Sequence, residues 1–160
     1  MRKRSIIPAL EPVPCHDEDL LDLERAAVVE VSSEDKDFPV EAALALGALG
    51  ETRGWRAAQP GPQTIRLLFD QPQTITRIAL VFEEDETRRT QEFVLRWSPA
   101  GPERFREIVR QQWNFSPPAT VREVEEYRVE LSDVTTLELT IVPNLSGGAI
   151  RASLKSLRLS

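Results

Sequence analysis

Arg88, Arg89 and Gln91, together with Trp113, Asn114 and Arg53, are the side chains of this 160-residue chain best equipped to recognise a ligand. Aromatic rings stack on the C–H faces of a sugar, while guanidinium and amide groups hydrogen-bond its hydroxyls. The same set suits a protein interface, where Trp and Arg are enriched, and composition does not separate the two. A second group, Glu83-Glu84-Asp85-Glu86, offers four adjacent carboxylates. Such a run can coordinate a divalent cation, but its ordinary role between strands is a solvated turn. Arg88 and Arg89, which follow these acids, have an equally plain reading as a charge-balanced turn, where surface pairs are worth about 0–1 kcal/mol.

Catalytic chemistry is poorly provided for. The single Cys and single His are neighbours, Cys15 and His16, with no third group to make a zinc site or a nucleophile and base pair. An enzyme would have to work with carboxylates alone, for example Glu83 or Glu125 at the roughly 5–9.5 Å separation of glycosidases, and nothing in the spacing requires that. The sequence therefore points to a non-catalytic binding module with no cofactor and no metal. Its partner is expected to be a glycan or a protein.

Charge narrows the partners further. With 20 basic and 26 acidic side chains the net charge is -6, which argues against non-specific binding to nucleic acid or anionic membranes. The basic residues do gather locally, as Arg104, Arg106 and Arg110, and again as Arg151, Lys155 and Arg158. If these shared a sheet face they would suit an acidic partner. No window approaches the roughly 18 apolar residues of a membrane span, and the apolar start after Met1-Arg2-Lys3-Arg4 is broken by Pro8, so a cytoplasmic location is expected. Asn144-Leu145-Ser146 fits a glycosylation sequon, which such a location leaves unused.

The elements that must position these residues are mostly strands. Residues 1–26 form a Pro-rich and acidic N-terminal extension, either a mobile arm or a short helix capped by Asp17 with its leucines against the domain. From residue 27 to 160 short alternating runs dominate, such as Ile65, Leu67 and Phe69, or Leu137, Leu139 and Ile141. Eight strands are predicted, at 27–33, 63–70, 74–83, 90–98, 104–112, 122–132, 136–142 and 150–159. One helix is predicted, over Val40 to Leu46, with Pro39 in its first turn and Gly47 at its end. The phase breaks between Ile75 and Ile78, and between Leu154 and Leu157, each require a bulge or bend. The expected fold is all-β, an eight-stranded antiparallel β-sandwich of jelly-roll type.

Links after the first, third, fifth and seventh strands are long, at 34–62, 84–89, 113–121 and 143–149, whereas the others are turn-like. If consecutive strands alternate in direction, all four long links share one end of the sandwich, the usual place for function on a rigid scaffold. That end would carry Arg53, Trp55, Arg56, the Glu83 to Glu86 run, Arg88, Arg89, Gln91, Trp113 and Asn114.

Several stretches carry a resemblance. They are Val31-Ser32-Ser33, Gly54-Trp55-Arg56-Ala57-Ala58 leading to Gln63 to Asp70, Phe93 to Ser98 with Gly101, and Ala152 to Leu157. In this order they resemble the discoidin, or coagulation-factor C-type, superfamily of galactose-binding-like domains, over about residues 27–160. The Trp-Arg-Ala-Ala stretch also resembles the N-terminal domain of the X-ray repair cross-complementing scaffold protein, which implies a protein-interaction adaptor as the rival function. Arg89 to Phe93 with Arg110 to Pro117 is similar to a bacterial subgroup labelled carbohydrate-binding. Many glycan-binding members hold calcium in the long first loop, with an Asp-Gly pair before the Trp. Here Leu46 to Gly54 contains no Asp, and no calcium is expected.

Overall fold

The structure, a computed structural model, describes residues 20–46, 53–101 and 104–160. Along the chain run α1 (Leu23–Ala26), β1 (Ala27–Val31), α2 (Glu41–Leu44), β2 (Trp55–Pro60), β3 (Gln63–Glu83) and β4 (Arg89–Ser98). They are followed by β5 (Arg106–Phe115), β6 (Arg122–Val142), β7 (Arg151–Leu154) and β8 (Ser156–Leu159). Among the described residues no helix is long and apolar enough to cross a membrane.

The all-β sandwich is present, with eight strands divided differently from the alternation reading. The runs at 63–70 and 74–83 are halves of one strand, β3, and those at 122–132 and 136–142 are halves of β6. β3 and β6 pair along their length as an antiparallel ribbon, with Gln63 opposite Ile141 at one end and Glu83 opposite Arg122 at the other. The ribbon bends midway. Its register slips between Leu68 and Gln73 and on either side of Ile75, where the phase break predicted a bulge. On β6 the bend falls at Asp133, whose φ of 59° is a left-handed conformation that Asp tolerates better than most residues.

Each half of the ribbon belongs to a different layer. The Gln63 to Phe69 half of β3 takes β1 on its outer side, while the matching half of β6 takes β4 and then β5. The other half of β3 takes β8 through Ile78 to Val81. Alternating residues face inward from both layers, including Ile65, Leu67, Leu137, Leu139 and Ile141 from one and Ile78, Leu80 and Leu157 from the other. Phe82 and Phe93 stack in the core at 5.2 Å between ring centroids. Removal of each such aliphatic side chain from water contributes about 1.5–3 kcal/mol, which is why the alternation was legible.

Three other local readings change. The segment 150–159 is two strands separated at Lys155: β7 pairs with β2, whereas β8 pairs with β3, so the phase break marks a change of partner. β2 lies within what looked like a long loop, because its Ala-Ala-Gln-Pro composition hides the inward pair Trp55 and Ala57. The single helix predicted near Val40 is one turn, and a second single turn, α1, precedes β1. Residues 1–19, including Cys15, His16 and Asp17, lie outside the described residues. Within the remainder of the extension Leu23 is buried in the core and the Leu21 amide donates to Leu159 O at 2.8 Å.

Candidate functional site

Because the ribbon is folded over, both of its ends arrive at the same end of the sandwich. The four long links gather there, as alternation predicted, although the reversal comes from corners within β3 and β6 instead of hairpins. The Glu84 amide donates to Val121 O at 2.8 Å, and the Leu145 amide to Thr90 O at 2.9 Å, which ties the second link to the third and the fourth to β4. Together they enclose a cleft of about 740 Å³. Phe38 and Arg53 line it from the first link, Glu84 to Thr87 from the second, Val121 from the third, and Ala149 and Ile150 from the fourth. Arg56, Arg151 and Ser153 on the β2–β7 pair form another wall.

The first link is held by its own sequence. Gln63 Oε1 accepts both the Ser32 and Ser33 hydroxyls at 2.8 and 2.7 Å, and Trp55 Nε1 donates to Ser33 O at 3.0 Å. Glu34 accepts the Val40 amide at 2.8 Å, fixing the entry to α2. Gly54, with φ of 75°, passes so close to β7 that a Cβ there would sit 2.5 Å from Leu154 O. Trp55 is thus a core plug beneath the cleft. The stretches that carried the family resemblance are largely these scaffold residues.

The cleft is polar and divided in charge. Arg56 lies over the Phe38 ring at 4.6 Å, Arg151 approaches Asp35 at 3.5 Å, and Lys155 approaches Glu83 at 3.8 Å. Arg53 and Arg122 also line it, as do the exposed carboxylates of Asp85 and Glu86. Such a cleft offers many hydrogen-bond donors and acceptors around the Phe38 ring, with the buried Trp55 also in its lining.

Of the six residues selected from the sequence, only Arg53 lines this cleft. Arg88 is exposed beside it, and Asn114 is exposed on β5 with Oδ1 accepting the Thr90 hydroxyl at 2.7 Å. Arg89 and Gln91 are buried, at 4% and 0% exposure, and both are engaged by protein groups, so neither is free to meet a ligand. Trp113 pairs with Gln91 across β4 and β5 and is half-buried against the core, with no hydrogen-bond partner for Nε1 among the described residues. The physical reason is the period of two. Gln91 is in phase with Phe93 and Leu95, which places it, and Trp113 opposite, on the inward face. Phe38, Arg122 and Arg151 were not selected, since only their membership of converging loops and strands signals them.

Beneath the cleft runs a chain of buried polar contacts. Arg89 Nε donates to Glu84 Oε1 at 2.8 Å, and Nη1 donates to Gln91 Oε1 at 3.0 Å and to Pro143 O at 2.8 Å. Gln91 Nε2 donates in turn to Glu123 Oε1 at 3.2 Å. Burial, reinforced by the neighbouring Glu125, pushes the Glu123 carboxyl up to about 8, against the opposing Gln91 bond and Arg89 charge. The Tyr127 hydroxyl donates to Glu125 at 3.0 Å and is raised by burial and by that same carboxylate.

The basic residues do not form one face. Arg110 pairs with Glu92 at 2.8 Å and Glu107 at 3.0 Å, Arg158 is buried, and Arg151 and Lys155 face the cleft. Among the described residues no group of three or more His, Cys, Asp or Glu is placed to hold a metal ion. Residues 47–52 of the stretch where no calcium was expected lie outside the described residues.

No protein-family model and no curated protein matches the sequence. Solved structures do match. One is the family 32 carbohydrate-binding module of Clostridium perfringens NanJ in complex with galactose, with a TM-score of 0.63, 12% identity, and coverage of 88% of this chain and 96% of that one. Another is a family 32 module, CBM32-3, from a Clostridium perfringens family 31 glycoside hydrolase, with a TM-score of 0.60, 18% identity, and coverage of 89% and 94%. A third is a pectin-binding module, with a TM-score of 0.59, 16% identity, and coverage of 85% and 91%. The fold is that of a galactose-binding-like β-sandwich. This galactose-binding-like, or discoidin-like, fold is the one that the collinear stretches implied.

Proposed function

We propose that the chain is a non-catalytic carbohydrate-binding module whose ligand occupies the loop-end cleft. The observation that carries this reading is the convergence of all four long links on one concave surface lined by Arg53, Arg56, Arg122, Arg151, Asp85 and Glu86 around the Phe38 ring. A polar cleft of this kind gains little from an apolar ligand, because the donors and acceptors that ligand covered would lose water without replacement. A hydroxyl-rich ligand supplies partners for them. The fold shared with carbohydrate-binding modules supports the reading by analogy.

The test is a glycan array on the purified chain, with Arg53→Ala and Arg151→Ala as paired variants. Saturable binding lost in both variants, with folding intact, supports the reading. A blank from folded protein transfers the cleft to the adaptor function, which the repair-scaffold likeness implies, and affinity capture then becomes the assay. That likeness rests on Trp55 to Ala58, where Trp55 and Ala57 are buried and serve the fold.

A further inference from the structure

We infer that Arg89 is a positioning residue for the cleft: from beneath, its guanidinium locks the 84–88 link to the 143–150 link and so sets the separation of the two. This rests on the cleft being the ligand site.

The geometry is specific to arginine. Nε points to Glu84 Oε1 at 2.8 Å, in the link that follows β3, while Nη1 reaches Pro143 O at 2.8 Å, in the link that follows β6. These links leave opposite ends of the β3–β6 ribbon; the first runs into β4, whose Glu92 pairs with Val142 at the end of β6, and Arg89 adds a side-chain tie just beyond that last backbone pair. A planar fork spans both directions at once, whereas a lysine ammonium on a flexible stem does not. The side chain is 1% exposed, its Cζ lies 4.7 Å from the Phe115 ring centroid, and Gln91 Oε1 accepts from it at 3.0 Å. Its orientation is therefore fixed from two sides before it reaches either link.

The effect passes outward through Glu84. One carboxylate oxygen is held by Arg89, and the other accepts the Glu86 amide at 3.3 Å, which orders the lip of the cleft. The Glu84 amide binds Val121 O, so the third link is keyed to the same point. On the other side Leu145 is held by Thr90, next to Arg89 on β4. Three of the four links thus refer to one buried charge. A cation in this place has a function that alternation alone does not give it, since an apolar residue would fill the same inward position without joining the links.

The experiment compares wild type with Arg89→Lys in the full chain, by amide hydrogen exchange, thermal unfolding, and binding of galactose and of pectin. The expected result is exchange about tenfold faster or more at the Glu84, Glu86, Leu145 and Gly147 amides, with the β3 and β6 core amides unchanged. Affinity for whichever sugar the wild type binds should fall at least about tenfold, since the lips no longer hold one spacing. A merely structural arginine would lower the unfolding temperature and leave loop exchange and the affinity of the folded protein as in wild type; that result overturns the inference. Should Arg89→Lys not fold, Glu84→Gln carries the test. Faster exchange at Glu84 and Glu86 supports the strut, and unchanged exchange overturns it. If the wild type binds neither sugar nor any array glycan, the function proposed above fails, while the exchange measurement still decides the strut.

Discussion

The two ends of the sandwich are built from the same two strands and do opposite work. At the corner end β3 and β6 pass without interruption from one layer to the other, and Ile75 and Val134 at the bends are wholly buried, with Leu131 nearly so. At the loop end the same strands terminate, and the links that replace them carry Arg53, Asp85 and Glu86 into solvent around a cleft, beside Arg122 at the start of β6. Continuous backbone joins the layers at one end. At the other the loop links cross between the layers, and side-chain contacts such as those of Arg89 to Glu84 and Pro143 tie these links to one another. The comparison teaches that the core continues where the strands do not stop, and that the concave, charged surface forms where they do.

The largest expected effect marks the limit of that division. Gly54→Ala lies at the loop end, yet its Cβ would meet β7 backbone and its φ of 75° is unfavourable for alanine, so it should cost more than about 4 kcal/mol or prevent folding. A stability within about 1 kcal/mol of wild type by denaturant unfolding would show that β7 yields easily. At the corner, Ile75→Ala should cost about 2–5 kcal/mol, with the ligand affinity of the folded protein unchanged. A change in affinity at equal folding would break the separation of the two ends.

Glu123 gives a pH-dependent test of the buried chain beneath the cleft. Its carboxyl rises from 4.5 to about 8 on folding, so the native state binds more protons than the unfolded one between these values. The stabilising state is the protonated one, fully present below about pH 4.5 and lost as pH rises through about 8. Wild-type stability should fall across that window with a slope of up to about 1.4 kcal/mol per pH unit. Glu123→Gln, which keeps the acceptor for Gln91, should flatten the slope in urea titrations from pH 5 to 9; an unchanged slope would place the titrating group elsewhere. The smallest effect on stability is expected at the cleft wall. Arg151→Ala should change unfolding free energy by no more than about 0.5 kcal/mol, and glycan binding far more.

Trp113 and Arg53 show how much of the site was legible. Both belong to residue types that recognise ligands, but Gln91, expected at the ligand, is in phase with Phe93 and faces the interior, and strand pairing takes Trp113 with it. Arg53 lies in a link where no period operates, and the cleft includes it. Phe38 and Arg151, 113 positions apart in sequence, have no local signal that joins them. Their meeting depends on how the ribbon folds over.

The sequence by itself determined the β alternation, the bend near Ile75, and the break between Leu154 and Leu157. Each is a local rule, set by which side chains must leave water on a strand of period two. Tertiary structure alone decided that two pairs of apparent strands are single strands, that the Trp55 to Pro60 stretch pairs with β7, and that Arg89 lies beneath the cleft instead of in it. These outcomes depend on which strand lies beside which. Hydrogen-bonding groups of the backbone are the same at every residue, so only the packing of the whole chain could choose among them.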